Sequence, residues 1–113
     1  MLNQIILETR LVKSEPLKYS TKGTPYLKLV FVFSTPEKQG NEWQDKDNFI
    51  AGTIWGKRAE KLNGKLKPGS PLIIRAKLEQ NRWEDKEGQK HSSYALVVED
   101  LHFARTPRQK IVN

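Results

Sequence analysis

The run Tyr26-Leu27-Lys28-Leu29-Val30-Phe31-Val32-Phe33 alternates with a period of two. Leu27, Leu29, Phe31 and Phe33 fall on one face, and Tyr26, Lys28, Val30 and Val32 on the other. Only an extended strand separates side chains in this way, because a helix would spread both sets around its circumference. The same period recurs from Phe49 to Trp55, where Ile50, Gly52 and Ile54 oppose Phe49, Ala51, Thr53 and Trp55. It recurs again from Leu72 to Trp83, with Leu72, Ile74, Ala76 and Leu78 expected to face inward and Ile73, Arg75, Lys77, Glu79, Asn81 and Trp83 outward. Gln4 to Ser14 and Ser93 to Phe103 read as the outermost strands in sequence, and Leu17 to Ser20 as a short one after the Glu15-Pro16 interruption.

Turn chemistry divides these runs. Thr35-Pro36 is expected to end the second long strand, leaving Glu37 to Lys46 as a polar loop with an exposed Trp43. Gly52, inside a strand, predicts a bulge or sharp bend. Lys57 to Leu66 is the one helical stretch, with Ala59, Leu62 and Leu66 at helical spacing. Lys67-Pro68-Gly69-Ser70 is a turn, and Glu84 to Gln89 a hairpin tip. Three strands, a helix and two strands predict an all-β fold with one helix: a five-stranded OB-fold barrel with the helix between the third and fourth main strands. An SH3-like barrel is the structural competitor. Residues 1–104 form the expected domain, and 105–113 a short basic tail.

With 113 residues the chain can bury one modest core. Its 20 basic and 13 acidic residues leave a net charge of +7, which points to a polyanionic partner. The lack of cysteine excludes a disulfide scaffold, a thiol nucleophile and cysteine-ligated zinc. No apolar run approaches the length of a membrane helix, and Met1 to Glu8 has no basic n-region, so a soluble cytoplasmic protein without a membrane partner is expected. His91 and His102 have no ligand-spaced partners and read as solvated strand residues, so no metal or cofactor is expected. Gly64-Lys65 lacks the rest of a phosphate loop, and no serine sits in a nucleophile elbow. The chemistry proposes no enzyme and no catalytic residue.

Aromatic and basic side chains instead coincide on the outward faces. Phe49 and Trp55 share one side of the third main strand, Trp83 ends the outward face of the fourth, and Arg82 precedes it. Lys28, Arg75 and Lys77 share outward parity on strands expected to be neighbours. Rings that stack on bases, among cations that track phosphates, are what sequence-tolerant single-strand binding requires. Each has a plainer reading: Phe49 and Trp55 could pack in the core, and the cations could be a solvated sheet face.

The segments Thr21-Lys22-Gly23-Thr24, Phe49 to Trp55 into Gly56-Lys57-Arg58-Ala59-Glu60, and Leu66-Lys67-Pro68-Gly69-Ser70 carry a family likeness. So do Lys77-Leu78, Arg82-Trp83-Glu84-Asp85, Gly88-Gln89-Lys90 and Val97-Val98. In order and spacing the chain resembles the DNA-binding domain of bacterial single-stranded-DNA-binding proteins over roughly residues 2–103. That resemblance implies an OB-fold that wraps single-stranded DNA in replication, recombination or repair, assembling as a homotetramer, with a dimer as the alternative. It implies stacking roles for Phe49, Trp55 and Trp83, with Trp43 a further candidate, and basic contacts at Lys57 and Arg82. Ile50 stands where the family commonly has a histidine. The acidic, phenylalanine-tipped tail that recruits partners in the family has no counterpart here, so recruitment through it is not expected. A primosomal replication-restart protein of the PriB kind is the alternative, and an OB-fold protein-interaction module without DNA affinity a third.

Overall fold

The computed structural model describes residues 1–104; the basic tail lies outside the described residues. The elements follow in the order β1 (Ile5–Ser14), β2 (Lys18–Tyr19), β3 (Pro25–Gln39), β4 (Glu42–Trp55), α1 (Lys57–Leu62), β5 (Pro71–Glu84) and β6 (Lys90–Phe103). The sheet runs β1-β5-β6-β4-β3-β2, and β1 also pairs with β3, closing the five long strands into an OB-fold barrel. Closure depends on β1 serving two partners. It pairs with β5 from Ile5↔Ala76 to Arg10↔Pro71, then with β3 from Arg10↔Val32 to Ser14↔Leu29. An irregularity between Leu11 and Lys13 bends the strand where it changes partner.

The alternation read from the sequence becomes the core. Leu11, Leu27, Leu29, Phe31, Ile54, Leu72, Ile74 and Leu96 are all buried to 2% exposure or less, and Ala59 and Leu66 plug the barrel from the helix side. Each large side chain so buried contributes about 1.5–3 kcal/mol. The one buried polar residue among those described, Thr9, donates its hydroxyl proton to the Leu72 carbonyl at 3.0 Å.

Four expectations are corrected. Thr35-Pro36 does not end its strand: β3 and β4 stay in unbroken register to Gln39↔Glu42, so the expected polar loop is a hairpin arm. Pro36 fits because β1 has already left β3 at Val32, and the missing N–H falls where only one edge is paired. The helix stops at Leu62 rather than Leu66: the Lys65 N–H donates to the Leu62 carbonyl, and Gly64 turns away at φ 80°. Gly52 makes no bulge. A β-carbon there would lie 2.9 Å from Cε2 of Phe31 and 3.3 Å from Cγ2 of Val98, so the glycine exists to admit a core ring. Leu78 is not inward-facing but exposed, because β5 and β6 have by then left the barrel as a second arm. Every residue from Pro36 to Asp47 is exposed, as is every residue from Leu78 to Tyr94 apart from Asp85.

Candidate nucleic-acid interface

The β3–β4 register sets Tyr26 opposite Trp55, Lys28 opposite Thr53, Val30 opposite Ala51 and Val32 opposite Phe49, all on the outward parity. Trp55 packs against Tyr26 with ring centroids 4.9 Å apart and planes inclined at 34°. Phe49 is 65% exposed and Trp55 46%, so neither belongs to the core. The two rings are six strand residues apart, about 20 Å, with Lys28 between them on the neighbouring strand. Trp43 continues the same parity along the arm, opposite Lys38 and fully in solvent, but Asp45 and Asp47 stand between it and Phe49. Lys57 opens α1 directly after Gly56, whose φ of 81° makes the strand-to-helix turn. Lys28 and Lys57 carry no ion pair among the described residues, so their charges are open to an anion.

The β5–β6 arm is built differently. Trp83 lies opposite His91 in the ladder, the rings stacked at 5.5 Å and 21°. The Nε2 atom of His91 lies 2.8 Å from Oδ2 of Asp85, while Oδ1 accepts the backbone N–H groups of Glu87 and Gln89 at 2.9 Å each. The His91 contact first, then the Gln89 and Glu87 amides, hold the Asp85 carboxyl below its ordinary range. Arg82 lies on the opposite parity from Trp83 and donates through Nε and Nη2 to Oε1 of Gln80 at 3.0 and 2.8 Å, a neutral partner that leaves its charge uncancelled. Arg75 and Lys77 both pair with Glu99, at 3.1 and 3.3 Å. Glu99 reaches them because the register slips there: Arg75 pairs with Asp100 and Ala76 with Val98, leaving Glu99 as the extra residue.

The Single-strand binding protein family matches residues 2–104. The chain belongs to that family. Relatives include the single-stranded DNA-binding proteins of Borreliella burgdorferi, 30% identical over 90% of this chain and 69% of the relative, and of Aquifex aeolicus, 28% identical over 96% and 74%. The Treponema pallidum relative is covered over only 57% of its length. Among solved structures, a Plasmodium falciparum SSB complex with single-stranded DNA is similar at TM-score 0.81 and 18% identity, covering 93% of this chain and 97% of that one. PriB from Ralstonia solanacearum aligns at TM-score 0.69 and 19% identity, over 93% of this chain and all of that one. At these identities the structural likeness speaks for the fold alone.

Within this Single-strand binding family member, the fold gathers some of the residues singled out in the sequence and separates others. Phe49, Trp55 and Lys28 share one face, with Lys57 just beyond the end of β4. Lys28 is not beside Arg75 and Lys77, as the sequence reading expected. β1 separates β3 from β5 on one side of the barrel, and β4 and β6 separate them on the other. Two residues at the candidate interface went unread. Tyr26 was legible as an outward neighbour of Lys28, but its contact with Trp55 required the register. His91 looked like an isolated solvated imidazole until the hairpin placed it on Trp83.

Proposed function

We propose that the chain binds single-stranded DNA with little regard to sequence, protecting exposed strands during replication, recombination or repair in the cytoplasm. Bases stack on Phe49, Trp55 and Trp83, with Trp43 an outlying ring, while Lys28, Lys57 and Arg82 take the phosphates. Arg75 and Lys77 act as secondary contacts because Glu99 already engages them. The observation that carries this reading is the open face of β3 and β4, where exposed rings alternate with an unpaired cation over several nucleotides' length. Every base offers a π-face, so such a surface tolerates sequence.

The assembly proposed is a homotetramer. Ile6 and Val12 lie exposed on β1 on the parity opposite Leu7 and Leu11, two apolar side chains on the barrel's outside with Glu8 and Arg10 between them. A short barrel gains avidity by presenting several copies to one strand. A PriB-like dimer is the second reading. Titration with oligo-dT and with duplex, followed by tryptophan fluorescence, tests the binding: quenching by oligo-dT alone is expected, and no response to it would overturn the proposal. Light scattering then separates tetramer from dimer, and a monomer at tens of micromolar protein would reject both.

A further inference from the structure

We propose that His91 is a proton-dependent nucleotide contact, binding a DNA phosphate only when its ring carries a second proton. The inference rests on the single-strand-binding reading and adds to it a residue and a condition. Three observations meet at this position. His91 covers one face of Trp83, and Trp83 is half exposed, so the pair offers a base one open indole face with an imidazole behind it. Asp85 takes Nε2 of His91, which fixes the proton of the neutral ring on that nitrogen and leaves Nδ1 as a bare acceptor. A cavity of ≈ 490 Å³ lined by Gln80, Arg82, Trp83, Glu84, Lys90, His91 and Ser92 adjoins the stacked pair.

The chemistry follows from Nδ1. In the neutral ring its lone pair faces a phosphate oxygen with no proton to share, and the contact is repulsive. In the protonated ring the same atom is an N–H donor, and a phosphate gains a charge-assisted hydrogen bond. Arg82 and Lys90 line the same cavity and supply fixed positive charge, while Asp85 and the Glu84 carboxylate, across the ladder from Lys90, supply the opposing negative charge. Lys86 and Glu87 complete the charged groups of the tip. Proton uptake and nucleotide binding are therefore linked, and each strengthens the other.

The test is oligo-dT affinity and its salt slope between pH 7.5 and 5.5, since thymine has no group that titrates in this range. The affinity of the parent should rise on acidification, by about tenfold for each unit by which DNA raises the ring's proton affinity. The slope of log K against log salt should steepen by about 0.7 at pH 5.5, one added phosphate contact. His91→Phe keeps a ring on Trp83 but cannot be protonated; its affinity and slope should not change with pH, while its melting temperature stays near the parent's. His102→Gln, at the other histidine, should retain the full effect. A parent that binds equally at both pH values, or an effect surviving in His91→Phe, overturns this proposal while leaving single-strand binding intact. Failure to bind oligo-dT at any pH overturns both.

Discussion

Tyr26 and Trp55 are cross-strand partners whose rings touch outside the barrel, with centroids 4.9 Å apart, while the adjoining Leu27 and Ile54 are buried in the core. An aromatic pair of this kind contributes about 0.5–1.5 kcal/mol beyond its buried area. Trp55→Ala should therefore cost no more than about 1–2 kcal/mol of stability, against the roughly 3–5 kcal/mol expected of a core tryptophan. If a base stacks there, the same change removes about 1–3 kcal/mol of binding. Thermal melting beside an oligo-dT titration separates the two effects; a large loss of melting temperature with unchanged affinity would return Trp55 to a structural role.

Glu99 gives a prediction of opposite sign. Its carboxylate holds Arg75 and Lys77 together at 3.1 and 3.3 Å, so two outward cations of β5 are partly cancelled within the protein. Glu99→Gln should raise oligo-dT affinity at low salt and steepen the salt slope by up to about 0.7 for each cation freed to meet a phosphate. All three side chains are substantially exposed, so folding stability should change by no more than about 1 kcal/mol. An unchanged slope would place the strand away from Arg75 and Lys77 and confine it to β3, β4 and the arms.

Gly52 offers a test of the barrel itself. Its φ lies outside the left-handed region, so an added methyl meets no backbone strain, only the Phe31 ring at 2.9 Å and Val98 at 3.3 Å. Gly52→Ala should destabilise by about 1–3 kcal/mol, the usual cost of overpacking. Trimming the ring should recover part of that loss, so Gly52→Ala with Phe31→Leu should be less destabilised than the sum of the single changes. Strict additivity in denaturant melts would mean that the two sites do not press on each other.

Much of this was legible from residue alternation. The inward sets of β3, β4 and most of β5 followed from a period of two, because a closed barrel buries one parity of each strand. The sequence misled where strands outrun the barrel. Beyond Thr35 and Ala76 both parities are wet, so polarity no longer marks a loop, and neither Pro36 nor the charged residues around it end the hairpin. Alternation also says nothing about which strands adjoin. Lys28 and Lys77 share outward parity yet lie on strands that do not touch, whereas Glu99 meets Arg75 and Lys77 through a register slip no local pattern announces. His91 and Trp83, likewise, are brought together only by the pairing of β5 with β6.

Acid should loosen the β5–β6 tip before it unfolds the barrel. The Asp85 carboxylate accepts from His91 and from the Gln89 and Glu87 amides, and these contacts favour its ionised form, lowering its pKa from the ordinary 3.8. A carboxyl depressed in the folded state contributes stability that is fully present above its unfolded pKa and is lost as pH falls through the lower, folded value. The window therefore lies below about pH 3.8, and at neutral pH the cap is intact. The group is exposed and the tip makes no core contact, so the loss should stay local. Hydrogen exchange at neutral pH isolates the contribution without acid: Asp85→Ala should speed exchange of the Glu87 and Gln89 amides while core amides such as Leu29 and Ile74 stay protected. Asp85→Asn, which keeps an acceptor oxygen for the two amides, should lie between Ala and the parent. Equal exchange in all three proteins would show that the turn at Gly88, not the carboxylate, holds the tip.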